Sequence, residues 1–357
     1  MPAKERDERT IAACGRRPDP ENEGCADLAG WAGDVTGRQC DGERTRTSSS
    51  FRGPRRVYAG RVEFRYPPAL APGDKVAVVA PASPFRAAEF WRGLAWIRDR
   101  YQVVASTGIL DRHGYLAGND ARRARELADA MLQPEVRAIL CARGGYGAMR
   151  ILQGLPWDEF CDHPRWVVGF SDITALHVML NTRRIASIHG PHVTGLGREA
   201  SPWMRASWIA SLERPRRRQR WDNLTTVHPG RADGPIVGGN LSLIEAMAST
   251  GELYFPLGCV LAIEDVSERP YRLDRMLTSL VVGRHFSRIA GIVCGGFVGC
   301  DPGNDGVKAL DVVHERTRKL GIPVVWGAPF GHGEKNEAFV LGSHALVENG
   351  TVTLTGA

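Results

Sequence analysis

No hydrophobic run in this sequence of 357 residues approaches the ~20 residues that a helix needs to cross a bilayer. The first thirty residues are charged throughout and lack the apolar stretch of a signal peptide. The eight cysteines form neither a CxxC pair nor the spacing of a zinc site. We therefore expect a cytoplasmic protein with free thiols, no metal and no membrane partner.

The sequence also lacks a recognisable RNA- or DNA-binding motif, although its formal net charge is +6. A good share of the positive excess comes from arginine clusters, such as the one between Arg214 and Arg220. A cluster of this kind can contact phosphate, but it is more often a solvated loop. We expect no nucleic-acid partner.

Composition divides the chain into four segments. Residues 1–65 carry too few apolar side chains to offset the entropy of ordering, and they are predicted to be a disordered polar leader. Residues 66–195 alternate short apolar strands with helices, which predicts an N-terminal α/β domain with a parallel sheet. Residues 196–233 are basic and interrupted by proline, which is typical of a linker. Residues 234–357 are predicted to form a smaller C-terminal α/β domain.

Apolar runs and helical periodicity place the individual elements. Strands are predicted at 75–80, 101–105, 136–142, 166–170, 258–265, 290–296 and 323–327, and helices at 87–100, 120–132, 241–248, 273–282 and 307–319. Motifs with possible chemistry follow the ends of four of these strands, at the edge of the sheet where α/β sites form.

The first motif is a serine between a buried strand and a helix. The strand that begins at Trp166 runs directly into Ser171, and the helix starts at once. A serine at such a turn presents its Oγ beside the N–H groups of the helix start, where an oxyanion can be stabilised. From this segment alone, a helix cap is the more ordinary role for Ser171, and Ile173 stands where a G-x-S-x-G motif has its last glycine.

The second motif is a glycine turn, Arg143 to Gly147. A dinucleotide-binding fingerprint would need a third glycine at Arg150, and the next strand lacks the expected acidic end. A glycine turn that lends a backbone N–H to an oxyanion hole fits better. We expect no nicotinamide or other organic cofactor.

The third motif places acidic residues at a strand end. Glu264 and Asp265 close an apolar run, and Glu268 follows. Acidic residues at the carboxyl end of a strand lie at the rim of the sheet, where α/β sites form. For Asp265 and Glu268 we favour surface pairing with the arginines that follow them.

The fourth motif is His332, which is flanked by glycines on a bare loop after the strand at 323–327. His189 and His192 are alternative bases, and together they make a poor metal site because a proline separates them and no third ligand is apparent. A serine, a glycine turn, a glutamate and a histidine at four strand ends are the groups that acyl transfer requires.

These motifs resemble those of the LD-carboxypeptidases, a serine peptidase family that includes murein tetrapeptide carboxypeptidases and microcin C self-immunity hydrolases. The similarity extends from about Tyr66 to the C-terminus. The matching blocks are GDKVAVVAPASP from Gly73, RGGYGAMRIL from Arg143, GFSDITALH from Gly169, HGP from His189, GGNLSLI from Gly238, AIEDVSERPYRLDRML from Ala262 and GHGEKNEAFVLG from Gly331.

The resemblance implies a role for each motif. Ser171 would be the nucleophile, His332 the base and Glu264 the group that orients the base. The backbone N–H groups of Asp172 and Gly145 would form the oxyanion hole. The implied fold is an N-terminal domain like that of class I glutamine amidotransferases, followed by a C-terminal domain that supplies Glu264 and His332. We also expect a homodimer.

Two substrates agree with the resemblance. One is a small muropeptide that loses its terminal D-amino acid in murein recycling, and the other is a microcin C-like aminoacyl-nucleotide amide. Trp203, Trp208 and Trp221 could stack on a nucleobase, although core packing is the more ordinary role of tryptophan. A catalytically inactive ligand-binding homologue is a third possibility, which the complete Ser, Glu and His set disfavours.

Overall fold

The computed structural model describes residues 62–198 and 200–356. The predicted leader lies outside these residues except for its last four, 62–65. There Phe64 is buried, and the backbone of Arg65 donates to Arg184 O and accepts from the Ala186 N–H. Phe64 and Arg65 therefore contact the rest of the described chain, although the sequence predicts them as part of the disordered leader. Within the described residues, no helix is both long and apolar enough to span a membrane.

The described residues form two sheets and the helices that cover them. The strands are β1 (Lys75–Val79), β2 (Gln102–Ala105), β3 (Val136–Cys141), β4 (Trp166–Gly169), β5 (Ser187–His189), β6 (Gln219–Trp221), β7 (Thr225–His228), β8 (Arg231–Asn240), β9 (Cys259–Val266), β10 (Ile289–Val298), β11 (Val324–Trp326), β12 (Phe339–Leu341), β13 (His344–Glu348) and β14 (Thr351–Thr355). The helices are α1 (Ala87–Arg98), α2 (Asp120–Leu132), α3 (Trp157–Asp162), α4 (Thr174–Thr182), α5 (Val193–Gly197), α6 (Pro202–Glu213), α7 (Leu241–Ser249), α8 (Pro270–Val282) and α9 (Ala309–Thr317).

The first sheet has the strand order β12-β5-β4-β3-β1-β2. Strands β1 to β5 are parallel, as the sequence predicts, and the apolar residues of β1, β3 and β4 are buried because helices cover both faces. The carboxyl ends of β3 and β4 lead into the glycine turn and Ser171, so the parallel arrangement brings these two motifs to one edge.

The second sheet has the order β6-β14-β13-β8-β9-β10-β11-β7. Its centre, β8 to β11, is parallel, and antiparallel strands flank it on both sides. This sheet has two more strands than the first, whereas the sequence predicts a smaller second domain. Residues 196–233, predicted as a linker, contain α6 and both edge strands of this sheet, β6 and β7.

The strand β12 connects the two halves of the chain. In sequence it lies between β11 and β13 of the second sheet, but it pairs antiparallel with β5 in the first sheet, with Phe339 opposite His189. The chain between β11 and β12 therefore passes from one sheet to the other. His332 lies on this connection.

Candidate active site

Ser171 lies at a sharp turn that immediately follows β4. Its φ is +59°, a left-handed conformation that is costly for a side-chain-bearing residue and recurs at functional sites. The turn is crowded, because a Cβ added at Gly144 would lie 2.9 Å from the Ser171 Cβ. Helix α4 has no side-chain cap. The helix-cap interpretation of Ser171 is therefore wrong.

His332 and Glu264 complete a hydrogen-bonded series with Ser171. The Ser171 hydroxyl lies 3.0 Å from His332 Nε2, and His332 Nδ1 lies 2.7 Å from Glu264 Oε2. The Nδ1–H therefore donates to the carboxylate, which leaves Nε2 to accept from the hydroxyl. Glu264 is fully buried at the end of β9. A Cβ at Gly331 would lie 2.7 Å from Glu264 Oε2, so the neighbouring glycine permits this close approach.

Opposing effects set the pKa of His332. Burial lowers the pKa, but the hydrogen bond and negative charge of Glu264, with a smaller contribution from Asp265, raise it further than burial lowers it. The net pKa lies above the ordinary value of 6.5. The site therefore stabilises the imidazolium that a general base becomes.

Asp265 is buried, whereas the sequence predicts that it pairs with arginines at the surface. It is only 2% exposed and accepts hydrogen bonds from the Asn240 side chain at 3.1 Å and the Ser242 N–H at 2.9 Å. The Asn240 amide also donates to Glu264 Oε1 at 3.3 Å. Burial, with the nearby charge of Glu264, raises the pKa of Asp265 to about 6. Glu268 does pair with Arg272, at 3.5 Å.

The other histidines have different surroundings. His177 bonds to Gly169 O and Ser187 Oγ, and His192 Nε2 lies 2.9 Å from Phe170 O. Burial lowers the pKa of His177 to about 4, that of His192 to about 3 and that of His189 well below 6.5. In the described part of the chain, His332 is the histidine that bonds to the Ser171 hydroxyl.

The glycine turn lies against Ser171 and is held from two sides. The Ser83 hydroxyl accepts from the Tyr146 N–H at 3.1 Å, and a Cβ at Gly145 would lie 2.5 Å from Ser83 Oγ. On the other side, Asp172 Oδ2 accepts from the Ala148 N–H at 2.7 Å. The segments that carry the two predicted oxyanion donors, Gly145 and Asp172, are thus tied together beside the serine.

Arg123, which no sequence motif pointed to, holds the same glycine turn through hydrogen bonds to backbone carbonyls. Although it is charged, it is fully buried in α2. Its guanidinium donates to Gly147 O at 2.8 Å and to Pro81 O, and it pairs with Asp120. It therefore connects the glycine turn to the loop after β1.

Replacing Arg123 with methionine is expected to lower the free energy of unfolding by about 2 to 4 kcal/mol, because two buried carbonyl groups lose their donor. Urea denaturation measures this change. Arg125→Met, on the exposed face of the same helix, is the matched control and should shift stability by less than ~0.5 kcal/mol. Equal losses in the two variants would contradict a supporting role for Arg123.

Comparison with known proteins identifies the family. The sequence pattern of the LD-carboxypeptidase N-terminal domain matches residues 76–190, and that of the LD-carboxypeptidase C-terminal domain matches residues 233–347. The chain belongs to the LD-carboxypeptidase family. The resemblance inferred from the sequence motifs is thereby confirmed.

Several relatives of this LD-carboxypeptidase family member are named as carboxypeptidases. A putative carboxypeptidase of Synechocystis is 37% identical, over 82% of this chain and 97% of its own length. The murein tetrapeptide carboxypeptidase of Pseudomonas aeruginosa is 34% identical, over 66% of this chain and 80% of its own.

Solved structures share the fold. The muramoyltetrapeptide carboxypeptidase from Oxalobacter formigenes is 26% identical with a TM-score of 0.72, and the match covers 79% of this chain and 99% of that one. An MccF-like protein from Bacillus anthracis is 21% identical with a TM-score of 0.74, covering 82% and 100%. In this LD-carboxypeptidase fold, Ser171 lies in the N-terminal match, and Glu264 and His332 lie in the C-terminal one.

Proposed function

We propose that the protein is a serine-type LD-carboxypeptidase, which hydrolyses the amide between an L-centre and the terminal D-amino acid of a muropeptide. The observation that carries this proposal is the unbroken hydrogen-bonded series from Ser171 through His332 to Glu264. The names of the relatives support the choice of a murein peptide as substrate.

The first half of the proposed reaction forms an acyl-enzyme. The Ser171 Oγ attacks the scissile carbonyl carbon while its proton passes to His332 Nε2. Glu264 fixes the imidazole tautomer and stabilises the imidazolium. The backbone N–H groups of Asp172 and Gly145 hold the oxyanion, and each such donor contributes roughly 3 kcal/mol in comparable sites.

The second half releases both products. The C–N bond breaks as His332 returns its proton to the leaving amine, so the D-amino acid departs with a neutral amine group. Water then attacks the ester and gives a proton to His332. The ester bond breaks, Ser171 recovers its proton, and the shortened peptide leaves as a carboxylic acid. These steps use no metal or organic cofactor.

The remaining parts of the proposal follow the family resemblance. The enzyme would act in the cytoplasm as a homodimer, and its first domain would resemble that of class I glutamine amidotransferases. The parallel order of β1 to β5 is compatible with such a domain.

A microcin-type amide is the alternative substrate. The fold of MccF, which has been solved in complex with glutamyl sulfamoyl guanosine, supports this alternative at 19% identity. Two of the three tryptophans considered for nucleobase stacking, Trp208 and Trp221, are buried in the core, and Trp203 is 44% exposed. The structure therefore leaves Trp203 as the one candidate of the three for such stacking.

Mass spectrometry of reaction products tests the proposal. The protein is incubated separately with a muropeptide tetrapeptide, with its epimer ending in an L-amino acid, and with a processed microcin. We expect loss of the terminal residue from the first peptide and not from its epimer. Cleavage of the microcin alone would favour the alternative, and no cleavage of any of the three would contradict the proposal.

A further inference from the structure

A cavity of about 420 Å³ lies beside the glycine turn and is not used by the mechanism above. Its lining consists of Phe85, Arg86, Glu89, Arg143 and Arg198. Three guanidinium groups and one carboxylate give this lining a net charge of 3 − 1 = +2. A small cavity with this charge favours an anionic ligand.

Arg143 has N–H donors that no carboxylate of the described residues engages. Glu89 pairs with Arg198 at 3.1 Å and with Arg86 at 3.9 Å. Within residues 62–198 and 200–356, no carboxylate is within ion-pair distance of Arg143, whose Nη1 donates to Pro84 O at 2.5 Å. That bond anchors the side chain and occupies one of its five N–H donors.

Arg143 is the neighbour in sequence of a glycine that packs against Ser171. It precedes Gly144, whose added Cβ would lie 2.9 Å from the Ser171 Cβ and 3.0 Å from His192 Cε1. In a substrate, the carboxylate of the leaving residue lies within about 4 to 5 Å of the scissile carbonyl carbon, since successive Cα atoms are only about 3.8 Å apart.

We propose that this cavity binds the free carboxylate of the leaving D-amino acid and that Arg143 is its principal partner. This inference rests on the proposed function. A guanidinium presents two parallel N–H groups that match the two oxygens of a carboxylate.

The subsite would make the enzyme a carboxypeptidase instead of an endopeptidase. A peptide that continues beyond the D-amino acid carries an amide where the carboxylate should lie. An amide brings no negative charge to the cavity, so Arg143 gains much less from it. Arg143 thus determines specificity without taking part in proton transfer.

The kinetic test compares a tetrapeptide that ends in a free carboxylate with the same tetrapeptide ending in a primary amide. For Arg143→Met we expect kcat/KM on the acid to fall on the order of 10- to 100-fold, because a charge-assisted pair is lost. The amide should change less than about threefold. Arg143→Lys should recover part of the loss, and Arg218→Met, at an exposed arginine outside the cavity, should behave like the wild type.

A binding test separates failure of this inference from failure of the proposed function. Calorimetry with the Ser171→Ala protein measures the affinity for acid and amide without turnover, with and without Arg143→Met. A preference for the acid that disappears in Arg143→Met supports the subsite, even if the wild type hydrolyses neither peptide and the proposed reaction fails. Equal affinities, no binding, or a preference that survives Arg143→Met would overturn the subsite.

Discussion

Ser171→Ala is expected to lower turnover by on the order of 10⁴ to 10⁶ while leaving the fold intact. In the proposed mechanism the hydroxyl forms the covalent bond to the substrate, and its removal leaves only substrate binding and the proposed oxyanion donors to accelerate attack by water. His332→Ala should cost about as much, since a hydroxyl without a base is a poor nucleophile. Single-turnover kinetics on the tetrapeptide measures both losses.

The double variant is the sharper part of this experiment. In the proposed mechanism Ser171 and His332 act as one unit, so Ser171→Ala combined with His332→Ala should be little worse than either change alone. His177→Ala does not serve as a control, because that ring bonds to Gly169 and Ser187 in the core. Additive losses, or a Ser171→Ala protein that keeps more than a few per cent of the activity, would refute the assignment.

Glu264→Gln is expected to lower kcat by on the order of 10³ to 10⁴, because the amide no longer stabilises the imidazolium or selects the tautomer. It should also change the pH dependence. The proposed mechanism needs His332 as a neutral base, so the rate should fall as the pH drops through its pKa. Glu264 raises that pKa and burial lowers it. Removing the carboxylate should therefore move the acid limb of kcat/KM to lower pH.

The matched control is Glu268→Gln, which removes a nearby carboxylate that pairs with Arg272 instead of a histidine. It should leave both the rate and the acid limb almost unchanged. A limb that stays in place or moves to higher pH in Glu264→Gln would mean that the carboxylate does not act on His332. The pH–rate profile thus tests whether Glu264 acts on His332, whereas a loss of rate alone does not.

Local sequence patterns predict much of this molecule. Each predicted strand and helix is present with its ends shifted by at most three residues, because buried strands and amphipathic helices have distinct periods. The residues Ser171, Glu264 and His332 stood out for a related reason. Each follows or closes a short apolar strand, and strand ends in parallel sheets meet at one edge.

Long-range features were not predictable in this way. The pairing of β12 with β5 depends on residues about 150 positions apart, for which no local period exists. The burial of Arg123 and Asp265 was not predicted because charged side chains are ordinarily exposed. Their ion-pair and hydrogen-bond partners also come from several separate segments of the chain. The oxyanion roles of Asp172 and Gly145 stay predictions.

The passage of the chain from β11 to β12 has a consequence for protein synthesis. Ser171 is 161 residues ahead of His332, and the histidine is fixed only where the chain returns to the first sheet. At about 5 to 20 residues per second, the ribosome needs roughly 8 to 32 s to make that interval. Throughout this time the nascent chain carries Ser171 without its proposed base, so in the proposed mechanism hydrolysis begins only after synthesis has passed β12.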